Sequence, residues 1–411
     1  MSDPAYVLAD VDAMYCSVEQ VLAPGLRHRP LVVLSNNDGC VIARSAQAKA
    51  AGIAMGQPWS GVRGVAGLAV RSANFELYGD FSARLHAIAA GICPDTEPYS
   101  IDEWFLALPG AATAARAAWR LRERAADWLG LPVSAGTGPT KTLAKLAARL
   151  AKDRKTGVCD LASATPRDIR DLLGQVPAGA VWGVGPRLEA RLAAAGITTA
   201  AGLAAADPRW ARAAGTVTLE RTVRELNGTP CIPLAAQPPP RRQMMHCRTL
   251  ARPVTRPGDA AAAAAAFAQA LAARLRHRDL AAATLSVLLS CPGPRTAAQG
   301  LPAPSSGAAE WAAVAAALAR RLWQPGTRCT RIGVLALDLA PARQAPSLLA
   351  GPRHAGDARL SAAIDAITAR YGPAAIGIGP AGLRRPHPWT PRQQHLSSAW
   401  TTRWDQLPAV R

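Results

Sequence analysis

A chain of 411 residues is too long for one ordinary core, so two to four folding units are expected. Apolar residues make up 49% of it, yet no uncharged apolar run approaches a membrane span, and the opening MSDPAYVLADVD lacks the basic-then-apolar order of a leader. These features set the expectation of a soluble, cytoplasmic protein. The formal charge of +19, from 47 Lys and Arg against 28 Asp and Glu, calls for a polyanionic partner, with nucleic acid first.

In chain order, residues 6–11 (YVLADV) read as an apolar strand that closes on acids, followed by a helix from Met14 to Leu22. Residues 31–35 make a second strand. Asn36-Asn37-Asp38-Gly39 is a turn, and extended structure from Cys40 precedes a short helix ending at Gly52. A strand pair around Asp102-Glu103, a helix through AARAAWRLRERAADWL, the strand LPVSAGTG and the helix TKTLAKLAARLAKD give β-α-β-α order, an α+β sheet domain. Short helices with Gly punctuation run from about Thr165 to Gly228, and Pro238-Pro239-Pro240 is a linker.

Beyond it lie the strand QMMHCRTL, an Ala-rich helix over 259–278, the strand ATLSVLLS, a Pro/Gly connection, the helix EWAAVAAALARRLW and the strand RIGVLALDL. With a short strand allowed in the connection, this is a split β-α-β-β-α-β unit. The tail after Pro341 is rich in Pro and Gly and is expected to hold little regular structure.

Five residues are Lys, namely Lys49, Lys141, Lys145, Lys152 and Lys155, and the last four crowd into one helical segment. An Arg-rich composition with Lys kept there suggests a need for compact, mobile ammonium groups. The eight Cys show no C-x-x-C pair and no metal spacing with His, so neither zinc nor disulfides are expected. Asp102 and Glu103 sit in the apolar stretch YSIDEWF, where unpaired carboxylates would cost several kcal/mol. With Asp10 on the other candidate central strand they form a set of hard oxygen donors suited to two divalent ions.

The segments ADVDAMYCSVEQ, VVLSNNDGCVIARSAQAKAAGI, YSIDEWF and GTGPTKTLAKLAARLAK resemble the motifs of Y-family DNA polymerases. SNNDGCVIAR and ERTVRELNGTPC are similar to the UmuC branch, and the likeness runs from residue 5 to about 340, more faintly through the tail. The resemblance implies a right hand of palm (1–25 and 76–165), fingers (26–75) and a thumb with a helix-hairpin-helix (166–235), then a little finger (240–340) and a C-terminal interaction tail (341–411).

It further implies error-prone translesion synthesis in the DNA-damage (SOS) response, with two Mg²⁺ held by Asp10, Asp102, Glu103 and the carbonyl of Val11. Lys49 and Lys145 fall where the family meets the incoming triphosphate, and Tyr15 falls at its sugar-excluding aromatic. Gly183 and Gly185 in VWGVGP, with Arg241, Arg242, Arg248 and Arg252, are the implied DNA contacts, and no segment is left over for a proofreading exonuclease. Trp104 departs from the small residue usual after the acidic pair. Implied partners are primer–template DNA, a deoxynucleotide, a processed UmuD dimer, RecA and a sliding clamp, the last at Gln344, Leu348 and Leu349. An inactive DNA-binding scaffold of the same family is the alternative, and the retained acids argue against it.

Overall fold

The computed structural model describes residues 4–235, 240–342, 353–372, 375–379, 389–390 and 392–407. The chain divides into two compact units, one of Met1–Ser35, Cys40–Pro238 and His395–Arg411, the other of Asn36–Gly39 and Pro239–Gln394. Among the described residues no helix is long and apolar enough to cross a membrane.

In the first unit β1 (Pro4–Val11) runs into α1 (Met14–Leu22) through Ala13, held at φ 46. A small sheet follows, made of β2 (Leu31–Leu34), β3 (Val41–Arg44) and, after the short helices α2 (Ala46–Ala50) and α3 (Trp59–Val62), β4 (Ala69–Ser72). Its order is β3-β2-β4. The helix α4 (Phe75–Ala90) starts where Asn74 accepts the amide of Leu77, an N-cap that satisfies one of the orphan donors of the first turn. Next come β5 (Thr96–Pro98), β6 (Glu103–Pro109), α5 (Ala111–Leu129), β7 (Val133–Gly138), α6 (Lys141–Arg154) and β8 (Val158–Asp160). The five strands assemble in the order β5-β6-β1-β7-β8.

The central strand β1 is covered on both faces, which is why its sequence is nearly all apolar. Val7, Ala9 and Val11 pack with residues of α1, α4 and α5, while Tyr6 and Leu8 pack with Phe105 and with Ala144 and Ala148 of α6. Glycine lets α6 come close. A Cβ at Gly136 would lie 2.0 Å from the Ala148 amide nitrogen, and one at Gly138 would lie 2.7 Å from that of Ala144. Helix and strand backbones therefore touch, a fit that only Gly on the strand and Ala on the helix permit.

Five short helices complete this unit: α7 (Pro166–Gly174), α8 (Pro186–Ala194), α9 (Ala200–Ala204), α10 (Pro208–Ala214) and α11 (Val217–Leu226). Leu173, Leu192, Leu203 and Leu219 form their core together with Leu143 and Leu146 of α6. Buried Glu225 clips the group to α6, accepting the amides of Thr142, Cys231 and Ile232 at 2.8–2.9 Å.

The second unit has β9 (Gln243–Val254), α12 (Pro257–Arg276), β10 (Leu280–Ser290), β11 (Pro294–Ser305), α13 (Ala308–Leu322) and β12 (Cys329–Pro341), with sheet order β11-β10-β12-β9. This is the expected β-α-β-β-α-β order. The connecting strand, expected to be short, spans 12 residues. Pro302 and Pro304 are tolerated because β11 is an edge strand and its register with β10 breaks beside them.

The tail departs further from expectation, since α14 (Arg353–Tyr371) is a 19-residue helix. Its Ser361 and Asp357 accept the first amides of α13, from Ala308 at 3.0 Å and Ala309 at 3.3 Å, and Asp365 pairs in two-pronged fashion with Arg276. These contacts to side chains supply a docked helix where the flanking Pro and Gly suggested none. The expected clamp peptide at Gln344, Leu348 and Leu349 lies outside the described residues, as do Pro238 and Pro239 of the linker.

The close approach at β7 predicts that Gly136→Ala, which must push backbone apart, lowers stability by about 2–3 kcal/mol or more. A urea melt checks this, and an unchanged midpoint would mean that the helix can yield.

Candidate active site

The antiparallel register of β1 and β6 sets Asp10 directly opposite Glu103. Side chains opposed in this way share one face, so two carboxylates are forced together, an arrangement that repels unless cations intervene. Asp102 stands one residue before β6, its backbone carbonyl accepting the Val11 amide at 3.0 Å and its carboxylate accepting the Ser100 hydroxyl. The cations come from α6. Lys145 and Lys152 lie two helical turns apart on the face turned to the sheet. Lys145 pairs with Glu103, while the Lys152 ammonium lies 2.6 Å from Asp10 and 3.3 Å from Asp12. Asp12 is held in turn by the Ser134 hydroxyl at 3.0 Å.

Asp10, Glu103, Lys145 and Lys152 line a cleft of about 210 Å³ with Arg149, Ala180 and Trp182. Burial pushes the Asp10 carboxyl up to about 6, Lys152 pulls it down in part, and the charges of Glu103 and Asp102 push it up again. Burial works to lower the Lys152 ammonium, yet Asp10 and Asp12 together carry it above the usual lysine range. Among the described residues no three His, Cys, Asp or Glu side chains are drawn close enough to grip an ion. The carboxylates are instead matched by lysines. As a donor set they still suit a hard cation, being all-oxygen, mutually repelling and dependent on positive charge.

Tyr15 of α1 stacks on Tyr78 at 4.5 Å and 14°, and meets Phe75 edge-on at 5.9 Å. Burial and the charge of Asp102 raise its phenol. Lys49 lies exposed on α2 and is not among the residues lining the cleft. Trp104, next to Glu103, points to the other face, where it is 2% exposed in the core with Ala9 and Leu106, so its bulk does not crowd the acids. Gly183 takes φ +87 and Gly185 starts α8. With Arg187, Arg191, Thr216, Thr218 and Thr222, Gly183 borders a second hollow of about 320 Å³. In the other unit Arg241, Arg242 and Arg252 are exposed, whereas Arg248 is half-buried and donates to His246 at 3.1 Å.

Several residues of this region carried no individual signal. Lys152 was visible only as part of the Lys-rich segment, although its spacing from Lys145 already put both on one face. Lys141 is 2% exposed, lies 2.7 Å from Glu97 and sits 4.4 Å above the Phe105 ring. Trp182 donates to the Tyr99 hydroxyl at 3.0 Å, and Lys145 stands 4.6 Å from the Tyr99 ring centre. Removing one partner of a buried pair strands the other charge. Glu97→Ala is therefore expected to cost about 3–5 kcal/mol. The double change Glu97→Gln with Lys141→Met should recover most of that loss in a denaturant melt.

Comparison with known proteins agrees with this geometry. Residues 9–149 match the impB/mucB/samB family and residues 241–348 match that family's C-terminal domain, while 358–410 match a segment described only as a domain of unknown function, DUF4113. The chain is 36% identical over 425 residues to protein ImpB of Salmonella typhimurium, covering 99% of each. It is 34% identical to protein UmuC of Salmonella typhimurium strain LT2, covering 99% of this chain and 100% of that one. DNA polymerase IV of Moorella thermoacetica is 36% identical over 212 residues, or 49% of this chain and 52% of that one. In fold, a solved Y-family DNA polymerase chimera of Dbh and Dpo4 covers 81% of this chain and 98% of its own, with a TM-score of 0.66 at 18% identity. The opposed carboxylates under a lysine-bearing helix thus stand in a fold and a full-length sequence match of one kind, and the chain belongs to the impB/mucB/samB family of Y-family DNA polymerases.

Proposed function

We propose that the chain is an error-prone translesion DNA polymerase of the SOS response that adds nucleotides to a primer 3′-hydroxyl, with two Mg²⁺ held by Asp10, Asp102, Glu103 and the Val11 carbonyl. The observation that carries this reading is the Asp10–Glu103 pair, set face to face by strand register and roofed by Lys145 and Lys152. Y-family polymerases work with divalent ions. When bound, such ions neutralise phosphate charge and favour the alkoxide form of the attacking hydroxyl.

The chain's own groups do the rest. Asp10 and Glu103 offer lone pairs that the lysine ammoniums now occupy, and Asp102 offers its own beside Ser100, so the site is already arranged to hold positive charge. Once those carboxylates are otherwise neutralised, Lys145 and Lys152 are free to meet triphosphate oxygens as point charges. Lys49 on α2 is a third such cation. Tyr15, its ring fixed between Tyr78 and Phe75, is the gate that excludes a 2′-hydroxyl by contact.

In this reading the five-stranded sheet is the palm, the three-stranded sheet the fingers, α7 to α11 the thumb and the second unit the little finger. Gly183, Gly185, Arg241, Arg242 and Arg252 meet DNA phosphates without reading sequence, and Arg248 supports them from its bond to His246. A processed UmuD dimer, RecA and a sliding clamp, the last through Gln344, Leu348 and Leu349, are the proposed partners, on the strength of the full-length likeness to UmuC.

Primer extension with Mg²⁺ on intact and abasic templates tests the reading. Asp102→Ala or Glu103→Ala should abolish extension and leave primer–template affinity within about threefold, since the acids serve chemistry rather than docking. Equal loss of affinity and extension would contradict it.

A further inference from the structure

The end of the chain returns to the first unit and is bound to the start of α4. His395 donates its amide to the Ser72 hydroxyl and accepts the Ser72 amide through its carbonyl, both at 3.0 Å, and Leu396 pairs with Ser72 as a parallel bridge beside β4. The small sheet thereby gains a further edge partner from the C-terminus. Asn74, which caps α4 with its side-chain oxygen, turns its amide group to the tail and donates to the Ser397 carbonyl at 3.2 Å and the Ser397 hydroxyl at 3.1 Å.

The Ser397 hydroxyl in turn donates to Glu19 at 2.8 Å. Glu19 is fully buried, and burial holds its carboxyl above the usual range against the opposing pull of Tyr78, Ser397 and Arg71. The same oxygen that accepts Ser397 accepts the Tyr78 hydroxyl at 2.8 Å, while Arg71 stands 3.4 Å from the other. Tyr78 is itself fully buried and is the ring on which Tyr15 stacks. One chain of contacts therefore runs from the tail through Glu19 and Tyr78 to Tyr15.

We propose that Ser397 is a positioning residue for sugar selection: by fixing the Glu19 carboxylate it locks the Tyr78 ring, and with it the ring of Tyr15, against the incoming sugar. This rests on the reading of Tyr15 as the gate. A clash discriminates only if the ring cannot retreat, and a retreat of well under 1 Å softens a repulsive contact steeply. The tail segment, which matches a domain of unknown function, thus sets the stiffness of the gate from behind. Ser397 touches neither the reacting atoms nor the lysine-roofed cleft, so its loss should leave deoxynucleotide chemistry in place.

The test measures kcat/KM for one ribonucleotide and its deoxynucleotide on an undamaged primer–template, using full-length chain. Ser397→Ala and Tyr78→Phe should each raise the ribo-to-deoxy ratio by about three- to tenfold, with the deoxynucleotide value held within about twofold. Ser397→Thr, which keeps the hydroxyl, should return the parent ratio. Tyr15→Ala, the control on the gate itself, should raise the ratio by at least about tenfold.

If Tyr15→Ala raises the ratio and neither Ser397→Ala nor Tyr78→Phe does, the positioning role is overturned and the gate stands. If a folded, active Tyr15→Ala still rejects ribonucleotides like the parent, the gate falls and the proposal with it. Parallel loss of both substrates in Ser397→Ala without rescue by Thr would reduce Ser397 to a structural contact. Should Ser397→Ala fail to fold, Ser397→Cys, which keeps the volume and weakens the bond to Glu19, takes its place, and a parent ratio in that variant overturns the role.

Discussion

Helix α6 lies directly on the strands of the central sheet, and the rest of the active region depends on that contact. Gly136 and Gly138 have no side chains to hold it off, and Ala144 and Ala148 add almost none of their own. At this distance Lys145 and Lys152 reach Glu103 and Asp10, which strand register has already placed opposite one another. Without these ammonium groups the acids would face each other in a half-buried cleft, and the Asp10 carboxyl, already pushed to about 6 by burial, would be driven further towards its neutral form. A neutral acid is a poor ligand for a hard cation. Packing therefore maintains the negative charge of the opposed acids.

The same helix joins the site to the short helices α7 to α11. Thr140 donates to the Glu225 carbonyl at 2.9 Å, Thr142 gives its amide to the Glu225 carboxylate, and Lys141 pairs with Glu97 over the Phe105 ring. One element thus carries the cations that pair with the opposed acids on one stretch and structural anchors at its start. The tail plays a comparable part for α4, whose capping residue Asn74 is bonded to Ser397 and whose Tyr78 backs Tyr15. In both places a side chain of the candidate site is backed by a partner distant in sequence.

What could be read from the sequence follows the range of the interactions. Strands β1 and β6, helices α1, α5 and α6 and the β-α-β-β-α-β order announce themselves through local periodicity, Asp10, Asp102 and Glu103 stand out as a candidate set of hard oxygen donors, and Tyr15 and Lys145 enter through resemblance to Y-family motifs. Strand β11 was underestimated because its prolines argue against a strand, and only its edge position with a register break admits them. Helix α14 does not announce itself because Pro and Gly crowd its flanks, while what docks it is its capping of α13 and its ion pair with Arg276 of α12. The bond from Ser397 to Glu19 spans 378 residues, and no local pattern can foretell it. Lys152 is intermediate, since helical spacing set it beside Lys145 but only the fold shows that Asp10 and Asp12 are its partners.

The central claim is that this lysine-roofed set of acids is a site for divalent cations that the incoming nucleotide completes. Counting Mn²⁺ bound per chain by electron paramagnetic resonance, with primer–template and a non-hydrolysable deoxynucleotide present, addresses it directly. The account predicts about two ions per chain, falling in Asp10→Ala while the nucleotide-free DNA complex still forms. No bound Mn²⁺ above the level carried by the free nucleotide, or a count indifferent to the loss of Asp10, would contradict it.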